Sequence, residues 1–375
     1  RLRLEHHGDN SAPSLMLGEA PALNVHETRD ADVDRTLNAG ADELIRVHLL
    51  GPSAPTSTLV VHAHAAALDR DSLATVVEEL VALSVGATVP TEATDADVFA
   101  ALAGRRYDTE AASSISHRAF WTETLLPWTP ELKLGARRRP VALAGLGRTQ
   151  GKRQSQKLEF GLADMGSVPS AERETLLLTA FGLALADISG AAGLLVERQT
   201  PRGAAESGLA APLGADLPVP FRIEPGTTAT TQLGRVRWQL AAAENHRAFD
   251  AHSIERVMRG ELLSAGQCPA QAAFSYTAPG VKGPLLSATA TYEAGGHRIE
   301  GGLMPGTGLL HDAVLTIDDS GPKTVAELTF DTDVVDEATA RRLCQSLVAR
   351  VVQLAGPAQT AGANRKAGSQ MLPAG

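Results

Sequence analysis

The chain has few cysteines and no long apolar stretch. Its 375 residues include two cysteines, Cys268 and Cys344, and two thiols alone form neither a disulfide framework nor a zinc site. No run reaches the roughly 18 apolar residues of a membrane-spanning helix. The first residues, Arg1–His7, lack the pattern of a secretory signal peptide. Together these absences predict a cytoplasmic protein in a reducing compartment.

Basic charge is also scarce. The chain has 34 Lys and Arg residues against 43 Asp and Glu residues, a net charge of -9. Such a balance argues against nucleic acid or an anionic membrane as a partner. The sequence contains no glycine-rich phosphate loop and no Gly-x-Ser-x-Gly nucleophile elbow. We therefore expect no directly bound cofactor.

What the sequence does contain is typical of a folded α/β protein, with 43% hydrophobic and 21% charged residues. The length favours two lobes, because single cores stop growing at roughly 250–300 residues. Residues 59–64 read as a buried strand, and the helix that follows is predicted to be capped by Asp71 or Ser72 and to end at Gly86. A second, almost wholly apolar helix is predicted over residues 175–188, and it is predicted to end at Gly190.

The C-terminal part shows further elements. Residues 194–196 read as a core strand. Residues 313–317 and 324–330 alternate between apolar and polar side chains around a short Asp-Asp-Ser-Gly turn, which predicts a hairpin. Asp336 is then placed to cap a last helix that ends at Gly356.

The composition changes over residues 135–157, which carry seven Lys and Arg residues and no acidic residue. This segment is either a solvated linker between lobes or a binding site for an acidic partner or a phosphate. We expect an N-terminal lobe over residues 1–155, a C-terminal lobe over residues 156–356 and a disordered tail over residues 357–375.

The turn after the first predicted strand contains the most informative motif. It resembles the His-His-x-x-x-Asp-Gly-x-Ser motif of the condensation and epimerization domains of nonribosomal peptide synthetases. His64 stands at the first histidine, and Asp69 and Ser72 keep the aspartate and the serine. Ala65 replaces the second, catalytic histidine, and Arg70 replaces the glycine. Ala65 cannot transfer a proton, so the motif is degenerate.

Other segments resemble the same superfamily in the same order. They are residues 1–4, the tryptophan-bearing segment 117–125, the apolar helix 175–188 and the Phe-Ser-Tyr stretch at 273–276, in which serine replaces the family's asparagine. The resemblance implies a mixed α/β fold of two chloramphenicol-acetyltransferase-like lobes in a V-shaped pseudo-dimer around a central tunnel. It also implies a peptidyl carrier protein as partner, with its phosphopantetheine arm as the substrate handle. The likeness starts after the family's first conserved helix, so the N-terminal lobe is expected to lack its first segment.

Within the superfamily the epimerization branch fits best. Residues 196–203 stand where those domains have Glu-Gly-His-Gly-Arg. In that alignment Arg202 matches the arginine, and Arg198 falls on the glutamate that transfers a proton; a shift of one residue places Glu197 there and loses the arginine match. By the same resemblance Asp69 is expected to form a structural ion pair with an arginine, which is Arg202 or Arg70.

Both acid/base positions are thus changed, at Ala65 and Arg198. The interpretation we favour is a catalytically degenerate domain that acts as a recruitment platform, similar to the X-domain of glycopeptide assembly lines, which brings cytochrome P-450 monooxygenases to a carrier-bound peptide. The alternative is an active but atypical epimerase or acyltransferase on a carrier thioester, with His64 as base and Glu197 or Arg198 in the second role. A stand-alone acyltransferase that uses coenzyme A is a third, weaker option.

Two other groups of histidines have simpler interpretations. His62 and His64 alternate along a strand and share one face, which suits zinc, but no third ligand lies near them in the sequence, so no metal site is predicted. His246 and His252, near Asp250, could form a catalytic cluster, but the resemblance places them in a packing region of the second lobe.

Overall fold

A computed structural model of the chain divides by its internal contacts into two compact units. The first unit comprises residues 1–111, 201–214 and 283–307, and the second comprises residues 112–200, 215–282 and 308–375. The units interleave along the chain. The predicted lobe boundaries, which were drawn as continuous ranges, stay predictions. The described residues are 2–5, 14–17, 25–27, 45–50, 58–63, 67–84, 86, 114–125, 132–135, 155–162, 165, 168–200, 215–247, 270–279, 290–294, 297–301, 311–320 and 324–356.

Strands and helices alternate along much of the described chain. The strands are β1 (Leu2–Glu5), β2 (Ser14–Leu17), β3 (Val25–Glu27), β4 (Ile45–Leu50), β5 (Thr58–Ala63), β6 (Ser155–Gly161), β7 (Gly193–Thr200), β8 (Ala215–Arg222), β9 (Ala272–Thr277), β10 (Ala290–Ala294), β11 (His297–Gly301), β12 (Ala313–Asp318) and β13 (Val325–Asp331). The helices are α1 (Arg70–Ser84), α2 (Ser114–Leu125), α3 (Ser170–Ser189), α4 (Ala229–Asn245) and α5 (Glu337–Ala355).

The first unit contains small sheets. β1 pairs with β2, β10 pairs with β11, and β3, β4 and β5 form a three-stranded sheet in that order. β5 is the strand predicted before the motif, and it leads through a short turn into α1. In that turn Ala67 and Leu68 are buried and pack against Ile45, Ala63 and Val76. This small apolar contact joins the turn to the sheet and to the helix.

The cap of α1 differs from the prediction. The Oδ1 atom of Asp69 accepts a hydrogen bond of 2.8 Å from the backbone amide of Ser72, so Asp69 caps the helix, and the prediction of Asp71 or Ser72 was wrong. The reason is that α1 begins at Arg70, and a cap must precede the first helical residue to reach the amides of the first turn.

The second unit is built on a six-stranded mixed sheet in the order β6-β13-β12-β9-β7-β8. β9 runs parallel to β7 and to β12, and the other neighbours are antiparallel. The predicted core strand is part of β7, and the predicted hairpin is confirmed as β12 and β13, with Ala313 opposite Phe330 and Asp318 opposite Val325.

Alternate side chains of this sheet form the main core with α3 and α5. Phe181 on α3, Phe274 on β9 and Phe330 on β13 have no exposed surface. α3 ends as predicted at Gly190, whose φ of 69° is left-handed, a conformation that glycine adopts without steric cost. The cap of α5 is also confirmed, because Asp336 Oδ1 accepts from the Thr339 amide at 2.7 Å.

No helix among the described residues is long and apolar enough to cross a membrane. The basic run within residues 136–154 and the tail after residue 356 lie outside the described residues, so the linker and disorder predictions there stay predictions.

Candidate functional site

The degenerate motif lies between β5 and α1. His64 and Ala65 lie outside the described residues, and Arg70 is described as the first residue of α1. On the preceding strand, His62 contacts His48 of β4 edge-on, with ring centroids 5.5 Å apart at 72°. His48 is 3% exposed, so the ring of His62 packs against a buried imidazole.

Asp69 serves the backbone of this motif directly. Its carboxylate holds the Ser72 amide, and its carbonyl accepts the first helical bond from the Leu73 amide at 3.0 Å. Ser72 is fully buried. The aspartate and serine of the motif therefore shape the turn into α1. Arg202 lies outside the described residues, and its ion pair with Asp69 stays a prediction.

Neighbouring side chains of β7 project from opposite faces of the sheet. Arg198 points to the helices, where its Nε donates to Glu174 of α3 at 2.6 Å and its Nη1 donates to Glu244 of α4. The residue is 6% exposed. Burial opposes its charge, but the two carboxylates prevail and raise the pKa of Arg198 above its ordinary value. A guanidinium held in this way stays cationic and cannot act as a base.

Glu197 has different surroundings. Its Oε2 atom lies 3.1 Å from Nε2 of His311, which precedes β12, and the two side chains are 20% and 6% exposed. Between them runs β9, whose Ala273 lies opposite Glu197 in the register and shares its face of the sheet. The sequence did not reveal His311 as a partner, because 114 residues separate the pair.

The Phe-Ser-Tyr segment is central in the sheet as part of β9. The hydroxyl of Tyr276 donates to Asp319 at 2.9 Å, and Arg173 of α3 donates to the same carboxylate at 2.9 Å. Burial and the neighbouring Asp319 carboxylate raise the pKa of Tyr276 well above its ordinary value. Tyr276 therefore stays protonated and ties the sheet to α3.

His246 ends α4 and meets α2. Its Nδ1 atom lies 2.7 Å from Nδ1 of His117, and its ring stacks on Phe120 at 4.0 Å. The structure therefore places His246 in a packing contact, as expected, although sequence reasoning missed His117 as its partner. His252 and Asp250 lie outside the described residues.

Metal and thiol chemistry find little support in the described part of the chain. There, no group of three or more His, Cys, Asp or Glu side chains is placed to hold a metal ion. Burial raises the pKa of the Cys344 thiol to about 11, so this thiol stays protonated and is a poor nucleophile. Cys268 lies outside the described residues.

No family model and no curated protein matches the sequence. The comparison with known proteins therefore rests on similarity of the fold. The X-domain from teicoplanin biosynthesis is similar with a TM-score of 0.72 and 16% identity, over 95% of this chain and 84% of that one. The condensation domain of the monacolin K polyketide synthase MokA is similar with a TM-score of 0.67 and 16% identity, over 95% and 85%. The chain has the condensation-domain fold. The mixed α/β fold of the condensation-domain type, predicted from the resemblance, is thereby confirmed.

Two further structures extend this likeness. The complex of the X-domain and OxyB from teicoplanin biosynthesis matches with a TM-score of 0.68 and 17% identity, over 95% of this chain and 82% of that one. A four-domain nonribosomal peptide synthetase matches with a TM-score of 0.77 and 14% identity, over 95% of this chain and 29% of the synthetase. The condensation-domain fold thus occurs both in separate domains and within longer synthetases.

Proposed function

We propose that the chain is a condensation-like domain of a nonribosomal peptide synthetase that has lost its reaction and serves as a recruitment platform for tailoring enzymes. The observation that carries this proposal is the state of Arg198. It stands where the resemblance places a proton-transfer glutamate, and it is buried between Glu174 and Glu244. Its guanidinium is paired with carboxylates of two helices, and these contacts hold β7 to both helices.

The chemistry of epimerization supports the same conclusion. A proton α to a thioester carbonyl must be removed and another returned to the opposite face, which needs two positioned acid/base groups. Each such group contributes about 10²–10⁴-fold to the rate. Ala65 has no titratable atom, and Arg198 stays cationic, so neither position supplies that contribution.

The proposed partners follow from the likeness to the X-domain. One of the similar structures is an X-domain bound to OxyB, and a domain without catalysis can still present a docking surface. We infer a peptidyl carrier protein, with its phosphopantetheine arm, and a cytochrome P-450 monooxygenase as partners in the cytoplasm. This step is an analogy from the fold.

One observation favours the alternative, an atypical epimerase or acyltransferase with His64 as base. Glu197 is not engaged by the helix-side ion pairs, and its carboxylate lies beside the imidazole of His311. It therefore keeps the acid/base chemistry that Arg198 lacks.

The test measures chemistry and binding on the same samples. The domain is mixed with its peptide-loaded carrier protein and a P-450 monooxygenase of the same pathway, and α-proton exchange in heavy water is followed alongside complex formation. We expect a retained complex and exchange no faster than without the domain. The variants His64→Ala and Glu197→Gln are expected to change neither result, and His62→Gln serves as the matched histidine control.

The possible results separate the two functions. Exchange that disappears in His64→Ala or Glu197→Gln and persists in His62→Gln would establish the enzyme and overturn the platform. A domain that neither retains the P-450 nor exchanges the α-proton would overturn both.

A further inference from the structure

Two imidazoles join α2 to the C-terminal end of α4. The Nδ1 atoms of His117 and His246 are 2.7 Å apart, and the rings meet nearly at right angles, at 85° with centroids 4.9 Å apart. His117 is 8% exposed. The contact spans 129 positions of the sequence, so it is a tertiary contact and not a local turn.

The position of the His246 ring is fixed by its neighbours. Its amide bonds to the carbonyl of Ala243 at 3.0 Å, and its carbonyl accepts from Nε1 of Trp121 at 3.3 Å. The ring stacks on Phe120 with an interplanar angle of 11°. Trp121 is fully buried. His246 therefore cannot move from His117 without disturbing the aromatic side chains of α2.

The contact has the length of a hydrogen bond and is shorter than two zinc ligands would allow. Two ligands of a tetrahedral zinc ion, each about 2.0–2.1 Å from the metal, would be roughly 3.3 Å apart, longer than the 2.7 Å observed. A neutral imidazole has one N–H and one acceptor nitrogen. One Nδ1 therefore donates and the other accepts. Protonation of both rings leaves two N–H donors directed at each other and two positive charges close together.

We propose that His117 and His246 form a proton-sensitive latch that fastens α2 to α4 while at least one ring is neutral and releases α2 when both are charged. The latch holds α2, which is the first described element after the chain passes from the first unit to the second at residues 111 and 112. The inference is independent of the proposed function and uses none of its partners.

In the described part of the chain, the charges near His246 do not compensate for a second proton. Glu244 is the carboxylate nearest in sequence to His246, and its oxygens are engaged by Arg198 and by Arg247 at 3.6 Å. On α2, Arg118 and Glu123 occupy exposed positions. Burial and the neighbouring His117 lower the pKa of His246 below its ordinary value.

The sign of the pH dependence follows from this lowered pKa. The unfolded chain takes up a proton near the ordinary histidine pKa of about 6.5, whereas the folded chain resists it until a lower pH. The stabilisation from the neutral latch is therefore complete above about pH 6.5 and is lost progressively as the pH falls toward the folded pKa.

Hydrogen exchange of the α2 amides tests the latch in the full chain. Protection factors are measured between about pH 7.5 and about pH 5.5, the range in which histidines titrate. In the unmodified chain we expect the protection of the α2 amides to decrease, relative to that of the α3 amides, as the pH is lowered. The double variant His117→Gln, His246→Gln is expected to show little of this pH dependence, because the glutamine side chains do not titrate. His311→Gln removes a histidine of the same unit that faces a carboxylate, and it is expected to leave the α2 profile unchanged.

Three results would overturn the latch. One is an α2 profile that falls equally in the unmodified chain and the double variant. The second is protection of α2 that rises on addition of zinc in the unmodified chain but not in the double variant, because it would make the pair a metal site. If the double variant does not fold, ring-proton NMR of the unmodified chain decides, and two histidines that both titrate at the ordinary pKa would refute the shared proton.

Discussion

Adjacent side chains on β7 show how strand geometry assigns opposite chemistry to neighbours. Arg198 faces the helices and is neutralised there by Glu174 and Glu244, whereas Glu197 faces the other side and meets His311. The sequence alone left open which of the two stands at the family's proton-transfer position. The structure shows that Arg198 has a structural partner set, which leaves Glu197 as the one of the two with acid/base capacity.

Replacing Arg198 by methionine is expected to destabilise the second unit by about 2–3 kcal/mol. Removal of one partner from a buried pair leaves uncompensated charge, which costs about 3–5 kcal/mol in a fully buried site. We expect less here because Glu174 and Glu244 retain 23% and 35% exposure. Arg198→Lys keeps the charge and is expected to lose less. Urea unfolding measures the stability of both variants, and a methionine variant as stable as the parent would contradict a stabilising role of the Arg198 ion pairs.

Two helical glycines provide a matched pair of substitutions. A Cβ atom on Gly182 of α3 would lie 2.1 Å from the Phe221 ring of β8, whereas one on Gly234 of α4 would meet no atom within 4 Å. Gly182→Ala is expected to cost about 1–3 kcal/mol through overpacking. Gly234→Ala is expected to stabilise by up to about 1 kcal/mol, because alanine favours the helix. Thermal unfolding of both variants checks the opposite signs, and equal shifts would contradict the close packing of α3 on β8.

Secondary-structure elements with strong local signals were predictable from the sequence. The hairpin of β12 and β13, the glycine stop of α3 and the Asp336 cap of α5 are all confirmed, because each depends on residues a few positions apart. Contacts that depend on the order of strands were not predictable. His117 with His246, and Glu197 with His311, lie more than a hundred positions apart, and no local pattern connects them.

The cap of α1 shows how the motif aspartate acts on an element. Asp69→Ala is expected to destabilise by about 1 kcal/mol, because the Ser72 amide loses its acceptor. Asp69→Asn is expected to retain most of that stability, since asparagine caps helices nearly as well as aspartate. The free energy of unfolding in urea compares the two. An equal loss in both variants would show that the carboxylate charge matters most, as the predicted pair with Arg202 requires.

The chain as a whole divides by its internal contacts into two compact units. In the described part of the second unit, one large apolar cluster runs through α3, α5 and the six-stranded sheet. In the described part of the first unit, a buried cluster lies around Ala67 and Leu68. Each unit therefore has buried apolar contacts of its own, which stabilise it against unfolding.

This division predicts two separable unfolding steps. All three tryptophans, Trp121, Trp128 and Trp238, fall within the residue ranges of the second unit, so tryptophan fluorescence reports that unit, whereas circular dichroism reports both. We expect a biphasic circular-dichroism curve in urea, one step of which coincides with the fluorescence change. Leu177→Ala, at a fully buried position of α3, is expected to weaken the step that fluorescence reports by about 3 kcal/mol. Val47→Ala, at a buried position of β4, is expected to move only the other step. A single transition shifted by both substitutions would mean that the two units unfold as one cooperative body.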